Sequence, residues 1–404
     1  MRHRGWIVTF AGTGINLALG VLYAWSVVSK KIPAEWGWTE ADKSLPYSIA
    51  CLVFALTMVP AGRMQDRLGP RVVASIGGAL VGTGMILASL TTSVVGYVVG
   101  FGVLAGAGIG FGYASATPPA VKWFPSSRTG LIAGIVVAGF GLASVYVAPL
   151  ANSLIAANGV PSTVLAFGIA FLIVVVGLAQ LLTPPPPGFV VEPSSARARP
   201  TSPDVEPAKM LRTWQFYAMW FMYASGAGAG LMIISKLAKL VEVQAGLALG
   251  FMLVAVLALG NGGGRIVAGV VSDRFGRKAQ LVVCFLVQAA LVATLSQVSE
   301  GAPLASTWAM ALLCAAIGAN YGAHLSLFPA MTKDYFGMKH FGANYGLVFT
   351  AWGLGGFSLS LLAGAVFDRT QSFAFAYNCS IALLLAAALV TVFLRPPKDS
   401  SRTR

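Results

Sequence analysis

Long apolar runs separated by short polar breaks set the rhythm of this chain. Stretches long enough to cross a hydrocarbon core of about 30 Å fall at about 6–29, 44–62, 72–92, 94–118, 130–153, 163–183, 213–236, 246–270, 280–298, 304–331, 342–366 and 373–394. The pattern predicts twelve transmembrane helices and an all-α polytopic membrane protein. The first run continues through Tyr23 and Trp25 with no small-residue cleavage site after it, so it reads as a span rather than a removable signal. One position breaks the pattern. Arg265 follows an apolar run, about 245–260, that carries no charge, and precedes Asp273 by eight helical residues, roughly 12 Å. That depth is close to the bilayer midplane, where a cation costs about 2.5–3.5 kcal/mol on insertion scales and marks a cavity or a substrate path.

Composition agrees with the pattern: 404 residues, 57% hydrophobic and only 10% charged, against about 25% charged in ordinary soluble domains. The net charge of +14 does not call for nucleic acid, because the basic residues are sorted by side. One set of inter-helix segments holds only Lys30, Lys31, Lys43, Lys236, Lys239 and Arg369; of the other 21 of the 27 Lys and Arg, all but Arg265 lie on the opposite side. The positive-inside rule then puts both termini in the cytoplasm. A polar, proline-bearing stretch at 184–210 divides the spans into halves at 1–183 and 211–396, followed by a cytoplasmic tail at 397–404. Cys51, Cys284, Cys314 and Cys379 lie singly in apolar runs, which supports neither a disulfide framework nor a metal site. No Walker A spacing occurs, and no span carries paired carboxylates or a nucleophile with a base. Neither a cofactor nor an enzymatic role is expected, and any transport must run on a gradient.

The second helix of each half closes with the same turn: Gly62-Arg63-Met64-Gln65-Asp66-Arg67-Leu68-Gly69-Pro70-Arg71, and Gly269-Val270-Val271-Ser272-Asp273-Arg274-Phe275-Gly276-Arg277-Lys278. Two copies about half the chain apart are an internal repeat. The glycines suit close helix approach, and Asp66, Arg67, Asp273 and Arg274 can pair with one another or with helix ends. The repeat resembles the signature loop of the major facilitator superfamily. That resemblance implies two pseudo-symmetric six-helix bundles rocking about a central site, with the Asp-Arg turns as cytoplasmic gates.

Further motifs narrow it. Helix 4 is rich in glycine, from Gly100 to Gly112, as close membrane packing requires. It leads into Lys122-Trp123-Phe124-Pro125 and later Arg128, and the second half has Asp334-Tyr335-Phe336-Gly337 and Asn344-Tyr345-Gly346. Together these resemble the bacterial oxalate-formate antiporters and the related monocarboxylate transporters. The resemblance places Arg265 on the family's essential cation and Tyr23, Tyr113, Tyr321 and Phe349 on the aromatic walls of its anion cage.

The departures shape the expected substrate. Trp352 stands where the oxalate carrier has a second cation, Leu22 where it has glutamine and Leu325 where it has tyrosine; Asn261 replaces an Asp of the animal relatives. One cation and more apolar wall suit a small monocarboxylate such as lactate or pyruvate. The expected activity is proton-coupled symport by alternating access in the plasma membrane, with an organic anion exchanger as the alternative and a non-transporting receptor as a more distant one. His324 and Glu242 are the side chains that could carry the proton, unless it travels with the bound anion.

Overall fold

The computed structural model describes residues 2–124, 129–186, 204–337 and 339–397. Most of the linker, the end of the tail, Arg128 and the side chains of Asp66 and Asp273 lie outside the described residues, and with them the pairing expected of the two gate aspartates. Among the described residues there are helices and no strands. α1 spans His3–Lys30 and passes through a 3-10 turn at Gly20–Ala24. α2 is Glu40–Leu68, α3 Pro70–Ser89 and α4 Val94–Val121. The run Thr129–Ala179 is two helices, because Gly159 (φ 76, ψ 173) breaks it into α5 (129–158) and α6 (160–179). The second half repeats the pattern as α7 Trp214–Ala245, α8 Gly250–Phe275, α9 Arg277–Ser296, α10 Thr307–Phe336, α11 Phe341–Thr370 and α12 Ala374–Phe393.

Among the described residues twelve long helices therefore stand where twelve were expected, with two boundaries moved. The polar gap expected between α5 and α6 shrinks to Gly159, with Pro161 just inside the start of α6. α7 runs on to Ala245, which carries Lys236, Lys239 and Glu242 out of the expected loop and approach and onto a helix. Their spacing of three puts them on one face, so the helix can continue through charges that an average hydropathy reads as a break.

The turns of the internal repeat are alike in backbone. Gly69 (φ 83, ψ 161) and Gly276 (φ 90, ψ 146) end α2 and α8 in an extended, positive-φ conformation that costs a side-chain-bearing residue about 1–3 kcal/mol. Each donates its N–H to a carbonyl one turn back, Gln65 at 2.9 Å and Ser272 at 3.0 Å. The leading glycines differ from expectation: a Cβ on Gly62 or Gly269 would meet nothing within 4 Å, so neither is needed here for close approach. Arg67 and Arg274 are exposed. The glycines of α4 behave as expected. Gly100 and Gly108 face α3, Gly102, Gly106 and Gly110 face α2, and Gly112 faces Leu19 of α1; a Cβ on Gly106 would lie 2.9 Å from the Cα of Ala50.

The bundles meet along α2 against α11 and α5 against α8, pairs that the repeat interchanges. Within the second bundle α8 and α10 come still closer. Gly260 and Gly264 of α8 lie against the backbone of Ala315 and Ala319, and Gly318 and Gly322 of α10 against the backbone of Leu257 and Asn261. The Gly-rich stretch before Arg265 is thus largely a helix-packing surface that fixes the rotation of α8, and with it the direction in which Arg265 points.

Candidate functional site

Arg265 is 5% exposed and leaves α8 towards the bundle interface. Its Nε–H donates to Asn261 Oδ1, one turn back on the same helix, at 3.1 Å, and its Nη1 donates to the Val137 carbonyl of α5 at 2.9 Å. No carboxylate pairs with it among the described residues. The guanidinium lies against Gly141: a Cβ there would sit 3.3 Å from Cζ, Nε and Nη2, so glycine leaves the fork its place. A cation desolvated with only neutral acceptors is under-compensated, and a ligand carboxylate is what it lacks.

Around it, Tyr23, Phe54, Tyr113, Phe140, Leu325, Phe349 and Trp352 close a small central cavity with no space left for a water molecule. Helices from both bundles contribute. Tyr23 sits in the 3-10 turn of α1, where Gly20 lets that helix approach the Phe140 carbonyl. Its ring meets Phe140 edge-on at 5.0 Å and its hydroxyl lies 2.8 Å from the hydroxyl of Tyr321 across the interface. Trp352 stacks on Phe349 (centroids 5.1 Å, interplanar 15°) and donates its Nε1–H to the Tyr321 hydroxyl at 2.8 Å. Tyr113 packs edge-on against Phe54 and Phe140, each at 5.4 Å. The result is one fixed positive group, a relay of phenol and indole donors, and an otherwise aromatic wall.

Of the residues singled out in the sequence, Arg265, Tyr23, Tyr113, Tyr321, Phe349, Trp352 and Leu325 come together here. Asn261 stands behind the lining as the partner of Arg265, and Leu22 is buried beside Tyr23 without lining the cavity. His324 lies elsewhere. It points from α10 into the second bundle against Phe285 of α9 (4.9 Å) and Gly226 of α7, buried with both ring nitrogens unpartnered. Glu242 is at the end away from the Asp-Arg turns, 3.0 Å from Lys30 and half-exposed. Phe54 and Phe140 complete the cavity and were not anticipated, since each is one apolar residue in a uniformly apolar run. Glu40 was also passed over: expected in a loop, it opens α2 and is buried between the bundles.

The Major Facilitator Superfamily profile matches residues 5–299 and 244–404, and the chain belongs to that superfamily. The oxalate:formate antiporter of Oxalobacter formigenes is 29% identical over 339 residues, 82% of this chain and 77% of that protein. Human monocarboxylate transporter 11 is 25% identical over 400 residues, 96% of this chain and 83% of that protein. Among solved structures, a bacterial homolog of the human lysosomal transporter Spinster, in an inward-facing, occupied conformation, superposes with a TM-score of 0.66 at 16% identity, covering 98% of this chain and 97% of that one. The protein is a multi-pass membrane transporter related to carriers of small organic anions, and not an enzyme.

Proposed function

We propose that the protein is a secondary transporter of small monocarboxylates, of the size of lactate or pyruvate, moving them with protons by alternating access across the plasma membrane. The observation that carries this reading is the lone, under-compensated Arg265 fork held between the two bundles and faced by aromatic side chains from both. A single carboxylate satisfies one guanidinium in a bidentate pair, while Leu325, Phe349 and Trp352 offer the remainder of the ligand an apolar wall. A dianion would leave its second charge against rings and Leu325. Kinship with an oxalate:formate antiporter and a monocarboxylate transporter supports the anion class.

In this reading the anion binds Arg265, draws the Tyr23–Tyr321 and Trp352–Tyr321 donors towards its free oxygen, and so links the bundles through itself. Rocking about that link exposes the site to the other side. The proton moves with the loaded carrier: neither His324 nor Glu242 lines the cavity, which favours passage with the bound anion over a carboxylate relay beside Arg265. Linkage then requires anion and proton to strengthen each other's binding. The sorting of basic side chains supports a cytoplasmic side for the termini and the Asp-Arg turns. Labelled lactate entering empty vesicles when the outside is made acidic tests the reading, and uptake that occurs only against an internal counter-anion would make the protein an exchanger.

A further inference from the structure

At the end of the molecule away from the Asp-Arg turns, outer in the orientation proposed above, a charged cluster joins the bundles. Glu40, the first residue of α2, places its carboxylate 3.2 Å from Lys236 Nζ and 2.7 Å from Lys239 Nζ, both on α7, and 3.1 Å from Lys43 on its own helix. Lys236 is 3% exposed and also donates to the Glu40 carbonyl at 2.9 Å. Asp368 of α11 caps the same helix start, accepting from the N–H groups of Glu40 and Ala41 at 2.7 Å each. Lys239 further rests over the ring of Phe367, 4.3 Å from its centroid.

The partners divide unequally between the bundles. When this end opens, α2 leaves with Glu40 and keeps Lys43 as a partner in cis. Lys236 belongs to the other bundle, and both of its acceptors belong to Glu40. Opening therefore strips Lys236 of both acceptors and Asp368 of both N–H donors, leaving the ammonium to water, to Asp368 or to an arriving anion. The other charged groups of that bundle at this end are Lys239, Glu242, Glu300, Asp368 and Arg369; Glu242 is held by Lys30 and Asp368 by the N–H groups of Glu40 and Ala41. A rim cleft of about 310 Å³ opens at the same end, on a different face of α7 from Lys236, with Lys30, Lys31 and Asn152 on one wall and Ala238 and Glu242 on the other. The depth is right for a stage on the way in, since Gly230, whose Cα faces the Tyr321 ring, is six residues from Lys236 along α7, roughly 9 Å.

We infer that Lys236 is the first docking cation for the carboxylate of an incoming substrate, and that in the closed state Glu40 occupies its place as an internal substitute for that carboxylate. The inference rests on the monocarboxylate reading for its ligand and for the Arg265 site that receives it. The substrate carboxylate replaces Glu40 at Lys236, which both admits the anion and holds the outer end open, and it is then handed inward to Arg265.

The test measures labelled L-lactate transport in oriented proteoliposomes from both faces, with wild type, Lys236→Gln, Glu40→Gln and the double variant. Lys236→Gln keeps Glu40 neutralised by Lys239 and Lys43, and should raise the outer KM about tenfold or more, the worth of one charge-assisted hydrogen bond, with the inner KM unchanged. Glu40→Gln removes the competing carboxylate and should lower the outer KM several-fold, and the double variant should behave as Lys236→Gln. Inner-face transport reports folding in every variant. If Lys236→Gln does not fold, the fall in outer KM for Glu40→Gln carries the test alone. An outer KM that stays fixed, or that moves equally at both faces, overturns the inference, as does a change in kcat alone, which would make the cluster a mechanical latch. Wild-type vesicles that move no lactate from either face overturn the monocarboxylate reading itself.

Discussion

Arg265 carries its charge where a bilayer makes charge costly, and the amide oxygen and backbone carbonyl bonded to it are both uncharged. Arg265→Lys keeps the charge but loses the planar fork that holds Asn261 and Val137 together with a ligand, and should lower kcat/KM for lactate by about 10- to 100-fold; Arg265→Ala should abolish transport. Gly141→Ala sets a methyl 3.3 Å from the guanidinium and should raise KM without removing the cation. Trp352→Lys should place a second cation at the ring now bonded to Tyr321, weakening lactate uptake and making it sensitive to competition by oxalate, with Trp352→Ala as the control for the lost ring. A Trp352→Lys carrier that folds and ignores oxalate would remove Trp352 from the binding site. At this scale Arg265 was legible because a charge in an apolar run is conspicuous, and the tyrosines because the motifs around them gave a resemblance. Phe54 and Phe140 were not, since on helices apolar all round no pattern shows which apolar residue turns inward. Glu40 was hidden because the apolar window begins after it.

Helix packing explains why so many glycines surround the cation. Gly264 meets the backbone of Ala319, whereas the adjacent Gly263 has nothing within 4 Å of a modest extension. Gly264→Ala should therefore destabilise by about 1–3 kcal/mol through overpacking, while Gly263→Ala should be neutral or stabilise by up to about 1 kcal/mol through helix propensity. Thermal unfolding in detergent separates them, and equal effects would contradict the α8–α10 contact. The number and order of helices were legible from apolar runs alone. Two ends were not: the α5–α6 gap expected at 154–162 closes to a single glycine turn, and α7 continues through Lys236, Lys239 and Glu242 because their spacing lets one face meet α1 and α2 while the rest stays apolar.

For the molecule as a whole, the repeat seen in two ten-residue turns becomes a pair of bundles whose contacts interchange, α2 with α11 and α8 with α5. The cation lies between them, so opening either end changes what it can reach. With the termini inside, protease should cut the 184–210 linker only from the cytoplasmic face of oriented membranes, and cleavage from the opposite face would invert the orientation and the assignment of the Glu40 cluster to the outside. The central claim is that a single cation binds a single carboxylate and that a proton accompanies it. Uptake of labelled lactate into empty proteoliposomes, driven by an acidic exterior, tests it most directly. Wild type should accumulate lactate to a level that collapses with the pH gradient, and Arg265→Ala should lose uptake; uptake indifferent to the gradient, dependent on internal anion, or unchanged without the arginine would rule the claim out.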